Sequence, residues 1–426
     1  MNYEQAVEYI HSISKFGSKL GLTNITKLLD LLGNPHDKLK FVHVGGTNGK
    51  GSTSNYIANI LYQAGYRVGF FISPYIEKFT ERIQVDFQNI EEDCLVKNVE
   101  LIQEKIQIML DQGYNHPTEF EVNTALGMLY FQQKACDLVV LEVGLGGRMD
   151  STNVINTPLV SVICTIDIDH IGVLGDTIEQ IAFEKAGIIK PLVPLVIYGD
   201  NPQVAYEVIE EQAKEKNAPS ERVDFSKISN VRYEDFSYTF DFEKYKDLKI
   251  NIFGEYQIKN ACTAIKAVEK LKAYNITIDH IKKGLERAKW PGRLEIVSKD
   301  PFVLTDGAHN IQGIRSLKET ILKYFPDKRK IFVMAVMRNK DYDHMIEEIF
   351  PYADMAVALR PDYERALERD ILVDTISKYC ANTFTFDKIE EGLDFVVSQA
   401  DENTIICTFG SLYYIADVKK YFQKRV

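Results

Sequence analysis

Apolar residues follow two rhythms along the chain. Short β-branched runs ("KFVHV", "YRVGFFIS", "CDLVVLEVG", "LVSVICTID", "PLVPLVIYG") are separated by longer stretches with helical spacing, such as "STSNYIANILYQAG" and "TIEQIAFEKAGI". Continuous apolar strands alternating with helices predict βαβ units and a parallel sheet covered on both faces. Between about 220 and 253 the pattern changes to polar–apolar alternation, "VRYEDFSYTFDFEKYKDLKINIFG", which predicts small antiparallel strands. A helix is expected in "GEYQIKNACTAIKAVEKLKA". After "KWPGRLEIV" a second alternation begins, with strands in "PFVLTDGAH", "RKIFVMAVM", "YADMAVALRP", "NTFTFD" and "NTIICTFGS". Trp290, Pro291 and Gly292 break the pattern between the two series. The expectation is two α/β domains divided near residue 295, with a cleft between them.

Composition narrows the function classes. With 426 residues, 45% of them hydrophobic, the chain can bury more than one core. A net charge of −11 excludes the basic stripe that nucleic-acid phosphates require, so no nucleic-acid partner is expected. The six cysteines, Cys94, Cys136, Cys164, Cys262, Cys380 and Cys407, are scattered without a C-x-x-C pair, as in reduced thiols of a cytoplasmic protein. No apolar run approaches the ~20 residues of a membrane span, and the amphipathic, acid-bearing N-terminus is unlike a signal peptide. No membrane partner is expected, and a monomer is.

One stretch carries chemistry at first sight. "HVGGTNGKGSTSNYI" places a glycine-rich turn between a strand and a helix, where backbone N–H groups and a helix N-terminus cradle phosphate. Gly46, Thr47, Asn48, Gly49, Lys50, Gly51 and Ser52 would surround the phosphates of ATP. Lys50 would neutralise the β- and γ-phosphates, and Ser52 could offer a hydroxyl to Mg²⁺. The match to G-x-x-x-x-G-K-[ST] is imperfect, since Val44 occupies the first glycine position and Gly51 separates Lys50 from Ser52. A turn that only joins strand to helix is the alternative.

That departure is informative. "GTNGKGS" resembles the phosphate loop of the Mur ligase superfamily, in particular its folylpolyglutamate synthase/dihydrofolate synthase branch. The resemblance continues in order through "ISPYIEKFTERI", "TEFE", "LEVGLGGRMDSTN", "DHIGVLGDTIEQIAFEKAGIIK", "GEYQIKNACTA", "WPGRLE", "DGAHN" and "GSLY". It implies a P-loop-containing, Mur-ligase-like ATPase domain with a mostly parallel sheet that also binds folate, residues 1–295. A smaller Rossmann-like α/β domain that binds glutamate, residues 296–426, would follow.

The resemblance also implies roles. Glu142 ends the run "DLVVLEV", His170 is placed at another strand end in "TIDIDH", and Ser73 closes "VGFFIS". Read alone these are a solvated strand end, a structural histidine and a helix cap; the family makes them the metal set for Mg²⁺, two ions in all. Lys185 sits in a helix that Asp176 and Glu179 could open as a capping box. The matching family lysine is carbamylated, an anion able to orient the second metal. Asn260, Arg293 and Asp306 match contacts to ATP, and His309 would place the amino acid or the phosphate. Arg82, among Tyr75 and Phe79, is a candidate substrate contact, although the two aromatics could equally be core packing. Ser411 of "GSLY" is a second substrate-binding candidate, and Arg148 is retained as in many bifunctional members.

The implied activity is an ATP-dependent amide ligase adding L-glutamate to a folate, with dihydropteroate as a possible second substrate. A UDP-muramyl amino-acid ligase is the nearest rival, but the short stretch before the phosphate loop leaves little room for a UDP-binding domain. A regulatory NTPase switch would have no need for "DGAHN" or a second α/β domain.

Overall fold

The computed structural model describes residues 1–13, 21–170 and 172–424, and the chain divides into two units. The first comprises Met1–Glu234, Tyr238–Asn251 and Ile258–Ala288; the second comprises Asp235–Ser237, Ile252–Gln257 and Lys289–Val426. Among the described residues no helix is long and apolar enough to cross a membrane.

In the first unit, strands β1 (Phe41–Gly45), β2 (Val68–Phe71), β3 (Ile83–Val85), β4 (Gln88–Asn89), β5 (Leu138–Glu142), β6 (Val160–Ile163), β7 (Leu195–Ile197) and β8 (Ser220–Arg222) build one sheet. Their order is β4-β3-β2-β5-β1-β6-β7-β8. All pairings from β2 to β8 are parallel, and β3 and β4 extend the edge antiparallel. The central strands are apolar end to end because both of their faces are covered: every residue of β1, β2, β5 and β6 is buried. One core cluster joins Phe41, Val139 and Leu141 to the helices Tyr3–Ser12, Thr23–Leu31, Glu92–Asp111 and Glu119–Gln133. Another joins Ile163, Leu195 and Ile197 to the helices Ile178–Ala186 and Gln203–Glu215.

The helix after the phosphate loop, Lys50–Gln63, is enclosed, with all residues from Ser52 to Leu61 buried. Helix Ile278–Arg287 crosses it at Gly284. A Cβ on that glycine would lie 2.5 Å from the Cα of Ile60, so only glycine permits the approach. A three-stranded sheet, β9 (Ile228–Glu234), β10 (Ser237–Phe242) and β11 (Tyr245–Ile250), occupies the stretch where alternation predicted antiparallel strands. Tyr238, Phe240 and Phe242 of β10 fill its buried face at every second position.

The second unit holds β12 (Glu295–Lys299), β13 (Phe302–Thr305), β14 (Arg329–Met334), β15 (Met355–Ala358), β16 (Thr383–Thr385) and β17 (Thr404–Phe409) in the order β12-β13-β17-β14-β15-β16. Only β12 runs antiparallel to its neighbour. Its core gathers Val303, Ile331, Val333, Val357, Ile406 and Tyr414. The α/β class and mostly parallel sheets expected from the sequence are what the chain adopts.

Three local expectations need correction. The capping box of helix Ile178–Ala186 is Thr177 with Gln180, not Asp176 with Glu179, because the Thr177 hydroxyl accepts from Gln180 N and the Gln180 side chain accepts from Thr177 N. His170 is not at a strand end: β6 stops at Ile163, and His170 follows in irregular chain with φ 54°. Ser73 lies two residues beyond β2 and caps no helix.

Candidate active site

The sheet order places three loops side by side. β1 pairs with β5 through Val44–Glu142 and with β6 through Gly45–Ile163. The phosphate loop, Glu142 and the segment 164–170 therefore leave the same edge, the carboxyl ends of adjacent parallel strands, where open α/β sheets take their ligands. Gly49, with φ 82°, caps helix Lys50–Gln63, whose first intrahelical bond runs from Thr53 N to Gly49 O. The N–H groups of Lys50, Gly51 and Ser52 precede that bond and belong to the anion-binding helix end.

The front of the loop is laced to the segment after β6. Thr47 N donates to Thr165 O at 2.6 Å, and the Thr47 hydroxyl both donates to Asp167 O (3.1 Å) and accepts from Asp167 N (3.0 Å). Asn48 N donates to the Thr165 hydroxyl at 3.1 Å, and that hydroxyl donates back to Asn48 O at 3.1 Å. Asn201 secures the same segment by accepting from Ile166 N at 2.7 Å.

Two lysines converge on one carbonyl. Lys50 Nζ donates to Gly46 O and Thr47 O, each at 3.0 Å, while Lys185 Nζ donates to Gly46 O at 2.9 Å. Lys185 is 3% exposed. Burial, then the neighbouring Lys50 charge, lowers its pKa to about 7. A buried lysine whose pKa is lowered to about 7 beside a glycine-rich loop at a sheet edge is a candidate functional group. The lysine is thus not the solvated helix cation that its surroundings in sequence would suggest.

Glu142 is 4% exposed and its Oε2 accepts from Ser73 N at 3.2 Å, so these two predicted metal ligands share one corner. Ser52, also 4% exposed, lies in the first turn of the phosphate-loop helix. His170 Nε2 sits 3.7 Å from the Asp169 carboxylate. Among the described residues no three His, Cys, Asp or Glu side chains gather as a metal cluster. Mg²⁺ does not require one, since it is held by one or two carboxylates together with phosphates and water. A buried carboxylate and two hydroxyls beside a phosphate loop fit that ion.

Asn260, in helix Tyr256–Glu269, lies against the loop: a Cβ at Gly49 would meet its Oδ1 at 2.7 Å. Arg82 stands with its guanidinium carbon 5.0 Å from the Tyr75 ring centroid and 5.9 Å from that of Phe79. His11 completes this group, within 3.4 Å of the Tyr75 hydroxyl and 3.3 Å of Glu119. Arg148 is committed to Glu184 at 2.5 Å and stacks over Phe183.

In the second unit, β13 and β17 bring "DGAHN" and "GSLY" to one sheet edge: Asp306 N donates to Thr408 O and Gly410 N to Ala308 O. Asp306 is buried, with its two oxygens accepting from Leu294 N and Ala308 N, each at 2.8 Å. Burial raises its pKa and the Arg293 charge opposes the rise. Those bonds fold the chain after Arg293 around the carboxylate. His309 Nδ1 donates to Gly307 O at 2.8 Å. Ser411, 2% exposed, caps helix Leu412–Gln423 by accepting from Tyr413 N at 3.2 Å.

Sequence reasoning missed Thr165, Asp167 and His11, and it missed a buried chain behind Glu142. Asp150 accepts from Leu145 N (2.8 Å) and from the Thr152 hydroxyl (2.5 Å), and Thr152 Oγ1 in turn lies 2.9 Å from His43 Nε2. Because the Thr152 proton points to Asp150, His43 must donate through Nε2. Burial lowers the His43 pKa to about 3, keeping the ring neutral. This chain pins the glycine-rich turn after Glu142. The polar His43 inside an otherwise apolar strand was the one visible signal.

A family model of the Mur ligase middle domain matches residues 44–268, and one of the Mur ligase, glutamate ligase domain matches residues 292–412. A dihydrofolate synthase/folylpolyglutamate synthase of Bacillus subtilis is 38% identical over 427 residues, 98% of each chain. A solved Mycobacterium tuberculosis folylpolyglutamate synthase complexed with ADP and AMPPCP aligns with a TM-score of 0.92 at 28% identity, covering 99% of each chain. A solved folylpolyglutamate synthase complex with AMPPCP and folate aligns at 0.85 with 32% identity, again over 99% of each.

Proposed function

The chain belongs to the Mur ligase family, in its dihydrofolate synthase/folylpolyglutamate synthase branch, and from that premise we propose how its residues carry the reaction. The enzyme is an ATP-dependent ligase that joins L-glutamate to a folate. The observation that carries the reading is the convergence of Lys50 and Lys185 on Gly46, beside the buried Glu142, at the sheet edge. The relatives' names and the folate complex favour this substrate over a UDP-muramyl peptide.

The γ-carboxylate of folate attacks the γ-phosphorus of ATP, the bond to ADP breaks, and an acyl phosphate forms. Lys50 leaves the loop carbonyls for the phosphate oxygens, where its charge offsets the charge that develops during transfer. The amine of glutamate then attacks the activated carbonyl, and the tetrahedral intermediate expels phosphate. Ser52, Ser73, Glu142 and His170 are the residues proposed to hold Mg²⁺, which when bound neutralises phosphate charge. Lys185 is proposed to act as a carbamate. Its neutral amine adds CO₂ and sheds a proton, so that a buried cation becomes an anionic oxygen donor for a second metal ion. Asn260, Arg293 and Asp306 are proposed as ATP contacts, Arg82 as a folate contact, and His309 and Ser411 as groups placing glutamate. Dihydropteroate is proposed to enter by the same chemistry. Monomeric, cytoplasmic action completes the reading, and the six cysteines are all free thiols, as a reducing compartment keeps them.

The test is phosphate release from ATP with folate, dihydropteroate or a UDP-muramyl peptide, each with and without glutamate. Release that depends on a folate and glutamate together is expected; release with the muramyl substrate alone would overturn the reading.

A further inference from the structure

The segment that follows β6 is held from two sides, and only one of them is the phosphate loop. Strand pairing stops at Ile163, and Cys164 N still reaches Gly45 O at 2.8 Å. The buried amides beyond it lack a strand partner and need acceptors from elsewhere. Side chains supply them: Asp167 N donates to the Thr47 hydroxyl at 3.0 Å, Ile168 N to the Asp167 carboxylate at 2.7 Å, and Ile166 N to Asn201 Oδ1 at 2.7 Å. Thr47 belongs to the phosphate loop, whereas Asn201 comes from the loop after β7, the next parallel strand along the sheet.

Asn201 is itself fixed on every side. Its Nδ2 donates to Tyr198 O at 3.0 Å and to Cys164 O at 3.4 Å. Its backbone N donates to the Tyr206 hydroxyl at 2.9 Å, and that hydroxyl donates to Tyr198 O at 3.0 Å. Tyr206 is 6% exposed and sits in helix Gln203–Glu215, so the amide is anchored to a packed helix. A carboxamide offers an acceptor and two donors in one plane, which suits a group that must take an N–H on one edge and give to carbonyls on the other. The bracket therefore runs from helix Gln203–Glu215 through Asn201 to residues 164–168, and from there to Thr47 and Asn48.

We infer that Asn201, oriented by Tyr206, is a positioning residue for the nucleotide. It holds residues 164–168 at the height at which Thr165 and Asp167 set the front of the phosphate loop, and at which the chain runs on to His170. Displacing that segment displaces Thr47 and Asn48 with it, since both are bonded to it through backbone and side chain. Groups that act on phosphate lose effect with small misplacement, so their supports contribute to binding without touching the ligand. The inference rests on the ligase reading for the identity of the nucleotide and deepens it by naming the support behind the loop.

Calorimetric titration with Mg²⁺-ADP tests it, alongside steady-state kinetics. Asn201→Ala should weaken ADP binding about tenfold and raise KM for ATP by a similar factor, the loss expected when a buried hydrogen-bonding group is removed. KM for folate and for glutamate should stay at the wild-type values. Tyr206→Phe should give a smaller shift of the same kind. Unchanged ADP affinity in Asn201→Ala overturns the inference, and so does an equal rise of KM for all three substrates, the mark of general loosening. Should Asn201→Ala fail to fold, Tyr206→Phe decides, and wild-type ADP affinity there overturns the inference. ADP binding needs no turnover, so a wild type that binds ADP but releases no phosphate with folate and glutamate defeats the ligase reading while the role of Asn201 is still measured.

Discussion

The two sheets end in loops of opposite construction. At the edge of the first, Thr47 and Asn48 are tied by backbone and hydroxyl bonds to Thr165 and Asp167, and the ionisable groups Lys185 and Glu142 are buried. At the edge of the second, Arg338 on one loop and Arg360 and Arg365 on its neighbour are exposed, and the two loops are bridged through Met337 and Ala366. Both edges obey the same topological rule for ligand sites, yet one is built to surround a compact polyanion and the other to offer side chains. Converging N–H groups at a helix end suit phosphate, whereas exposed guanidinium groups offer forked donors to solvent.

The largest effect should come from the buried edge. Lys50→Ala should lower kcat by ~10²-fold or more with the fold intact, because the lysine acts on developing phosphate charge and not on packing. Steady-state kinetics with a melting curve check this, and near-wild-type turnover would remove the phosphate-loop assignment.

Lys185→Ala should also be nearly inactive, and a small carboxylic acid added to the assay should restore part of the rate by filling the vacated anion position. Full activity in that variant would refute the carbamate while leaving the phosphate loop standing. Next in size, Glu142→Gln and His170→Ala should each raise the Mg²⁺ concentration needed for half-maximal rate, by about tenfold, as a cation loses one of few protein ligands. A wild-type Mg²⁺ titration in both would break the proposed metal set.

The smallest effect is one of stability. Lys185 has a folded pKa of about 7, below its unfolded value near 10.5, so the unfolded chain binds more protons between those values. Without nucleotide or bicarbonate, stability relative to Lys185→Met should therefore rise with pH from about 7 to 10, by ~1 kcal/mol per unit, and be flat below 7. Denaturant titrations across that range measure it, and a pH-independent difference would mean the amine is not desolvated.

How much of this was legible depended on range. The glycine-rich turn, the apolar run ending at Glu142 and the switch to alternating strands at β10 are local patterns, and each was readable from spacing. The edge hairpin β3–β4 was not, because its two-residue turn is Asp86–Phe87, both at positive φ without a glycine to announce it. The position of His170 escaped as well, since nothing in "CTIDIDH" marks where pairing stops after Ile163. The lacing of Thr47 to Thr165 and Asp167 joins residues more than a hundred positions apart, which no local periodicity encodes. Lys185 looked like an ordinary helix cation because burial against the phosphate loop is a tertiary fact.

Folate is proposed to be activated as an acyl phosphate before glutamate attacks. Folate carrying ¹⁸O in its γ-carboxylate tests it most directly, with the released inorganic phosphate analysed by mass after turnover with ATP and glutamate. One ¹⁸O atom should pass from the carboxylate into phosphate for each amide formed; phosphate free of label would rule out the acyl phosphate.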